Sequence, residues 1–171
     1  MEDGVYVGPN ASLRGDFGRI IIKKNANIQD GCILHGYTGM DTIVEERGHI
    51  GHGAILHSCH IKQNTLIGIN AVILDGAIVG ANSIIGASSV VLTGMTIPDN
   101  SLAMGIPAQI KRTLTDEEVH WKTKGTEHYI ALAQRSLVSL KKCMPLTEAT
   151  KTREELRFDV NAKPKKYATK K

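Results

Sequence analysis

His49-Ile-Gly-His-Gly-Ala-Ile-Leu-His-Ser-Cys-His60 is the stretch on which the reading of this chain turns. It has a near-copy 22 residues upstream, where Asn27-Ile-Gln-Asp-Gly-Cys-Ile-Leu-His35 aligns with His49–His57. Ile28 matches Ile50, Gly31 matches Gly53, and Ile33-Leu34-His35 matches Ile55-Leu56-His57. A repeat this short is the signature of stacked copies of one small structural unit. Stacking places His35 over His57, and strands about 4.8 Å apart bring two imidazoles within reach of one metal ion. His52 precedes His57 by five residues, an odd spacing that sends the two side chains to opposite faces of an extended segment. A metal gripped by His35 and His57 of one chain is therefore expected to take its third imidazole, His52, from a neighbouring chain.

Outward from this stretch the pattern becomes regular. Ile61, Ile67, Ile73, Val79, Ile85, Val91 and Ile97 recur at a spacing of six. Two residues ahead of each hit runs a column of small residues, Cys59, Thr65, Ala71, Ala77, Ser83 and Ser89, interrupted at Met95. Gly follows the hit at positions 8, 51, 68, 80 and 86. Period six matches neither a helix nor an alternating strand. It predicts a chain that turns a corner every six residues, with a branched residue inside, a small residue where the interior narrows, and Gly or Asn at the turns. Upstream, the six-residue spacing runs through Ile22 and Ile28, then is expected to shorten to five at Ile28–Ile33 and again at Ile50–Ile55. Residues 36–48 are expected to hold a four-residue excursion. The fold class is an all-β solenoid, a parallel β-helix over residues 1–103.

After Ser101 the pattern changes. Residues 104–143 read as a linker and α-helices packing on the solenoid, the first opened by the capping box Thr115-Asp-Glu-Glu118 and stopped at Gly125. A second helix over 126–142 would present Ile130, Ala133, Leu137 and Leu140 on one apolar face. Residues 144–171 read as a basic, disordered tail.

Composition narrows the function classes. The chain has 171 residues, 22% charged and only 4% aromatic, which suits a strand-rich core of branched side chains. Its net charge of +4 resides in residues 144–171, which carry no basic–aromatic alternation, so nucleic acid is not an expected partner. No apolar run spans a membrane and no signal-like start is present, so the expectation is a cytoplasmic protein. Three cysteines without a CxxC pair argue against a disulfide framework. His49 and His60 are expected to be solvated flanks of the histidine set. No GxxxxGK[ST] loop is present, and the glycines spaced by six serve the turns.

The phrases Gly8-Pro-Asn-Ala-Ser-Leu-Arg-Gly-Asp16, Gly48–His57 and Met104-Gly-Ile-Pro-Ala108 resemble the hexapeptide-repeat family of γ-class carbonic anhydrases. Its relatives from the phenylacetate-degradation and carnitine operons are the most similar. The resemblance implies a left-handed triangular β-helix in a homotrimer, with Zn2+ or Fe2+ held at each subunit interface by His35, His57 and the neighbour's His52. It further implies that Arg14 pairs with Asp16 or Asp30 to tie subunits together, and that Gln29 orients a metal-bound water or bicarbonate.

On that likeness the expected function is hydration of CO2, the electrophile, by a hydroxide made at the metal. The alternatives are a metal-dependent acyl-CoA thioesterase, a hexapeptide acyltransferase using one histidine as base, or an accessory protein of carnitine or phenylacetate metabolism. Phe17 and Thr38 depart from the family's acidic residues near the site. Asp41, Glu45 or Tyr37 are the residues at hand to move protons in their place.

Overall fold

In a computed structural model residues 1–148 are described, and the basic-tail expectation over 149–171 lies outside them. The chain winds through about five coils whose sides form three parallel sheets. The first sheet stacks Tyr6–Val7, Asn27–Ile28, His49–Ile50, Leu66–Ile67, Ile84–Ile85 and Ser101–Met104. The second stacks Ser12–Leu13, Ile33–His35, Ile55–His57, Val72–Ile73 and Val90–Val91. The third stacks Ile20–Ile22, Thr42–Val44, His60–Ile61, Ile78–Val79 and Thr96–Ile97. Most strands are two residues long, so one residue points in and its neighbour out.

The inward residues are the period-six column. Ile22, Ile28, Leu34, Val44, Ile50, Leu56, Ile61, Ile67, Ile73, Val79, Ile85, Val91 and Ile97 are all fully buried. Each such side chain contributes about 1.5–3 kcal/mol by leaving water, and the column is the core. The small column is buried beside it, as narrowing corners require. One detail of the sequence pattern shifts. The inward residues of the repeat are Leu34 and Leu56 rather than Ile33 and Ile55, and Ile33 is exposed. Apolar residues stand on both faces there, so period counting alone picked the wrong neighbour. Ile28 to Leu34 keeps the six-residue step, and the single five-residue step falls at Leu56–Ile61, around the left-handed Ser58.

The turn residues divide into two kinds. Left-handed backbone falls mainly on Asn and on glycines such as Gly31 and Gly53. The glycine directly after the inward residue serves another purpose: at Gly68 a Cβ would lie 2.5 Å from the Ala87 backbone nitrogen of the next coil. Close coil contact, not φ, requires glycine at that position. Asn64, Asn82 and Asn100 stack in a column of side-chain hydrogen bonds of 2.9 and 3.2 Å.

Past the last coil, Ser101–Met104 stays in the first sheet and Gln109–Thr113 folds back antiparallel on it. The expected pair of helices is a single helix, Asp116–Ser139. The capping box is present: Thr115 accepts from the Glu118 amide while Glu118 accepts from the Thr115 amide. Gly125 lies mid-helix. A glycine there costs about 1 kcal/mol, and docking of Lys122 on the Asn64 turn and of Thr126 on His49 of the first sheet outweighs it. The expected apolar stripe does not form the contact. Leu137 is 88% exposed and Leu140 likewise faces outward, whereas the buried helix residues are Lys122 and Thr126.

Candidate functional site

The site is built on the second sheet. Ile33, Leu34 and His35 pair in register with Ile55, Leu56 and His57. Leu34 and Leu56 point inward, so the histidines that follow them point out together. Their ring centroids are 5.2 Å apart, and His35 Nδ1 lies 3.3 Å from His57 Nε2.

Carboxylates hold both rings from behind. His57 Nδ1 donates to Asp75 Oδ1 at 2.5 Å, and His35 Nε2 donates to Asp16 Oδ1 at 2.9 Å. Arg14 Nη1 donates to the other Asp16 oxygen at 2.5 Å. Burial alone would raise the Asp16 and Asp75 carboxyls. Hydrogen bonds from Arg14 and His35 in one case, and from His57 in the other, hold both below the usual range, so both act as acceptors at neutral pH. The consequence is a matter of tautomers. An N–H committed to a carboxylate on the far side of each ring leaves a lone pair on His35 Nδ1 and on His57 Nε2. Two lone pairs 3.3 Å apart repel unless a positive species lies between them. The pair is a receptor for a proton or for a metal ion.

A metal fits this pair. Two nitrogens each about 2.0–2.1 Å from a tetrahedral ion are about 3.3–3.4 Å apart, and the observed separation is 3.3 Å. Among the described residues no group of three His, Cys, Asp or Glu within the chain could hold an ion. Two nitrogens converge here within the described residues, so an ion at this place would need a further donor from elsewhere.

The other sequence-predicted residues fall into two adjoining clusters that Tyr129 bridges. Asp30 and His52 occupy equivalent turns of successive repeats, and His52 Nδ1 meets Asp30 Oδ2 at 3.0 Å. The Tyr129 hydroxyl of the helix approaches His52 Nε2 at 3.4 Å. Arg14 pairs with Asp16 inside the chain, and Asp30 pairs with His52. Gln29 stands apart from the His35–His57 pair. It donates to Asn27 Oδ1 at 2.9 Å and meets His49 Nε2 at 2.7 Å, because the first sheet stacks Asn27 on His49.

His49, expected in solvent, is buried under the helix, with Thr126 Oγ1 3.2 Å from its Nδ1. Burial first, then the nearby Lys122 and His52, lower its pKa to about 4. His60 is half-buried and bound to Glu45 at 2.6 Å. Asp41 forms a two-pronged pair with Arg19 at 3.0 and 2.6 Å. Two of the acids at hand for proton transfer are thus already partnered.

Asp75 escaped the sequence reading. Ile73 stacks on Leu56 at 17 residues, the five-residue step having shortened this coil, so Asp75 falls in the turn just past the stacked strand, where counting by sixes does not place it beside His57. Lys122 also escaped. It is 1% exposed, and its Nζ donates to the backbone carbonyl of Asn64 and, at 2.6 Å, to the Asn64 side chain. Burial, then Arg47, bring its pKa down to about 7. A polar face in the middle of a helix carries no periodic signal that would announce it.

Comparison with known proteins follows the same lines. Residues 58–93 match the bacterial transferase hexapeptide (six repeats) signature, whose hand is that of a left-handed β-helix. The chain is 53% identical over 162 residues to the carnitine operon protein CaiE of Citrobacter koseri, covering 95% of this chain and 82% of that one. Among solved structures it is similar to a hexapeptide transferase family protein from Anaplasma phagocytophilum, with a TM-score of 0.73, 32% identity and 77% of each chain covered. It is similar also to a proposed acetyltransferase of Bacillus cereus, with a TM-score of 0.68 and 33% identity over 78% of this chain and 88% of that one. No helix among the described residues is long and apolar enough to cross a membrane.

Proposed function

The chain belongs to the hexapeptide-repeat family that includes the carnitine operon proteins CaiE, and from that premise we propose that it transfers acyl groups from a thioester, with His57 as general base. The observation that carries the proposal is the line Asp75–His57–His35, which leaves one lone pair of His57 free and supports a proton once it arrives there. The acetyltransferase description of a relative 33% identical supports an acyl electrophile over CO2.

The chain's residues account for the proton movements. His57 Nε2 takes the proton from the hydroxyl or amine of an acceptor as that group attacks the thioester carbonyl. Asp75 behind Nδ1 and the His35 lone pair beside Nε2 both stabilise the resulting imidazolium. The C–S bond breaks, and the departing thiolate takes the proton back from His57. Asp16, held by Arg14, keeps the His35 tautomer that presents this lone pair. In this reading the working unit is a homotrimer, and a neighbouring copy closes the open side of the pair.

The 3.3 Å spacing favours a second reading, in which His35 and His57 hold Zn2+ or Fe2+ together with His52 of a second copy. The bound ion would supply Lewis acidity to a thioester or to CO2. Asp75 and Asp16 then serve as the outer partners that fix ligand orientation.

One experiment tests both. The protein is purified without chelator, its metal content and native mass are measured, and thiol release from acetyl-CoA is followed with and without an amine acceptor before and after chelation. Acceptor-dependent release that survives chelation and is lost in His57→Ala is the expected result. Release or CO2 hydration that vanishes with the metal and returns with Zn2+ selects the second reading. No release from acetyl-CoA or from longer straight-chain acyl-CoA thioesters under any of these conditions overturns the acyl-transfer reading.

A further inference from the structure

Two exposed apolar side chains flank the polar His35–His57 site. Phe17 follows Asp16 directly, and its ring centroid lies 5.5 Å from the His35 imidazole while 60% of the residue stays exposed. At the other end, Met40 reaches over the Gly76 turn next to Asp75. A Cβ added at Gly76 would meet the Met40 terminal methyl at 3.8 Å, yet Met40 remains 38% exposed.

These side chains stand on packed backbone. A Cβ at Gly18 would lie 2.9 Å from the Tyr37 carbonyl oxygen and closer still to that of Met40, so the Phe17 loop rests directly on the 36–41 excursion. The Arg19–Asp41 pair clamps the same two loops, and the Tyr37 amide donates to Ser58 Oγ. One exposed apolar side chain thus flanks each carboxylate that orients the histidines. Neither side chain offers a proton path, and an apolar group laid against either one would gain by leaving water.

We infer that Phe17 and Met40 form an acyl-chain subsite, so that the preferred substrate is a thioester with a straight apolar chain of several carbons rather than acetyl. This rests on the acyl-transfer reading of the His35–His57 centre. Phe17 lies beside His35 and Met40 beside the turn that follows Asp75, so a chain leaving a carbonyl at His57 would meet one or the other. Each methylene covered is worth about fourfold in affinity.

The test uses non-hydrolysable S-alkyl-CoA thioethers, from methyl to hexyl, titrated calorimetrically into the full-length protein. Thiol release from the matching acyl-CoA series is measured in parallel. Kd is expected to tighten two- to fourfold per methylene over the first few carbons, and Phe17→Ala and Met40→Ser should each flatten that dependence at unchanged native mass. Equal affinity along the series, or an undiminished slope in both variants, overturns the subsite. So does a fall in native mass for Phe17→Ala, which would assign Phe17 to a subunit contact. Chain-length-dependent binding without thiol release supports the subsite and sinks acyl transfer. Release that is indifferent to chain length does the reverse.

Discussion

His49 should make the protein acid-sensitive through the contact between helix and solenoid. Its ring is buried beneath the helix, accepting or donating to Gln29 and Thr126 and lying edge-on to Tyr129 at 5.3 Å. Its pKa is lowered from 6.5 to about 4, chiefly by burial. The unfolded chain takes up this proton as pH falls through 6.5, whereas the folded chain refuses it until about 4. The stabilisation is therefore complete above 6.5 and is lost progressively down to pH 4. The gap corresponds to about 3 kcal/mol, a large share of the ~5–15 kcal/mol typical of a domain.

The variant His49→Gln keeps polar partners for Gln29 and Thr126 but does not titrate. Urea unfolding between pH 7.5 and 4, at fixed protein concentration, would read the effect. Trp121, the sole tryptophan, lies next to the buried Lys122 and reports helix docking. Wild type should lose about 3 kcal/mol more than the variant across this range. Parallel pH profiles for the two proteins would refute the assignment of a buried neutral imidazole.

Three further outcomes follow from named contacts. Asp75→Asn, which can no longer accept reliably from His57 Nδ1, should lower kcat about 100-fold with KM little changed and the far-ultraviolet spectrum intact, as steady-state kinetics on the thioester will show. Gly125→Ala should stabilise the protein by about 0.5–1 kcal/mol in thermal melts, because the glycine sits mid-helix and a Cβ there meets nothing within 4 Å. Lys122 has its pKa lowered from 10.5 to about 7, so its contribution is present above 10.5 and is lost as pH falls towards 7. Wild type should gain stability from pH 7.5 to 10, and Lys122→Met should lack that gain in urea titrations.

Much of this architecture is legible in the sequence because a solenoid makes distant contacts periodic. Residues one coil apart in the chain are neighbours in space, so the inward column and the stacking of His35 on His57 could be read by counting. The Asp30–His52 contact follows from the same alignment of repeats, and the helix start is visible because capping is local chemistry.

What counting could not reach depends on packing between unlike elements. Gly125 does not end the helix, because Lys122 and Thr126 dock on either side of it. His49 is buried only because the helix crosses the first sheet at Thr126. Ile33 and Leu34 are chemically alike, and only the strand's pleat decides which one enters the core and so which way His35 points. The lone pairs that face each other at His35 and His57 depend on Asp16, held on a loop outside the repeat, and on Asp75, one coil further on. The sequence by itself thus determined the solenoid and the histidine stack, since both are set by spacing along the chain. The tautomers, the burial and the flanking apolar side chains were decided by the tertiary structure, where loops and helix meet the repeat out of period.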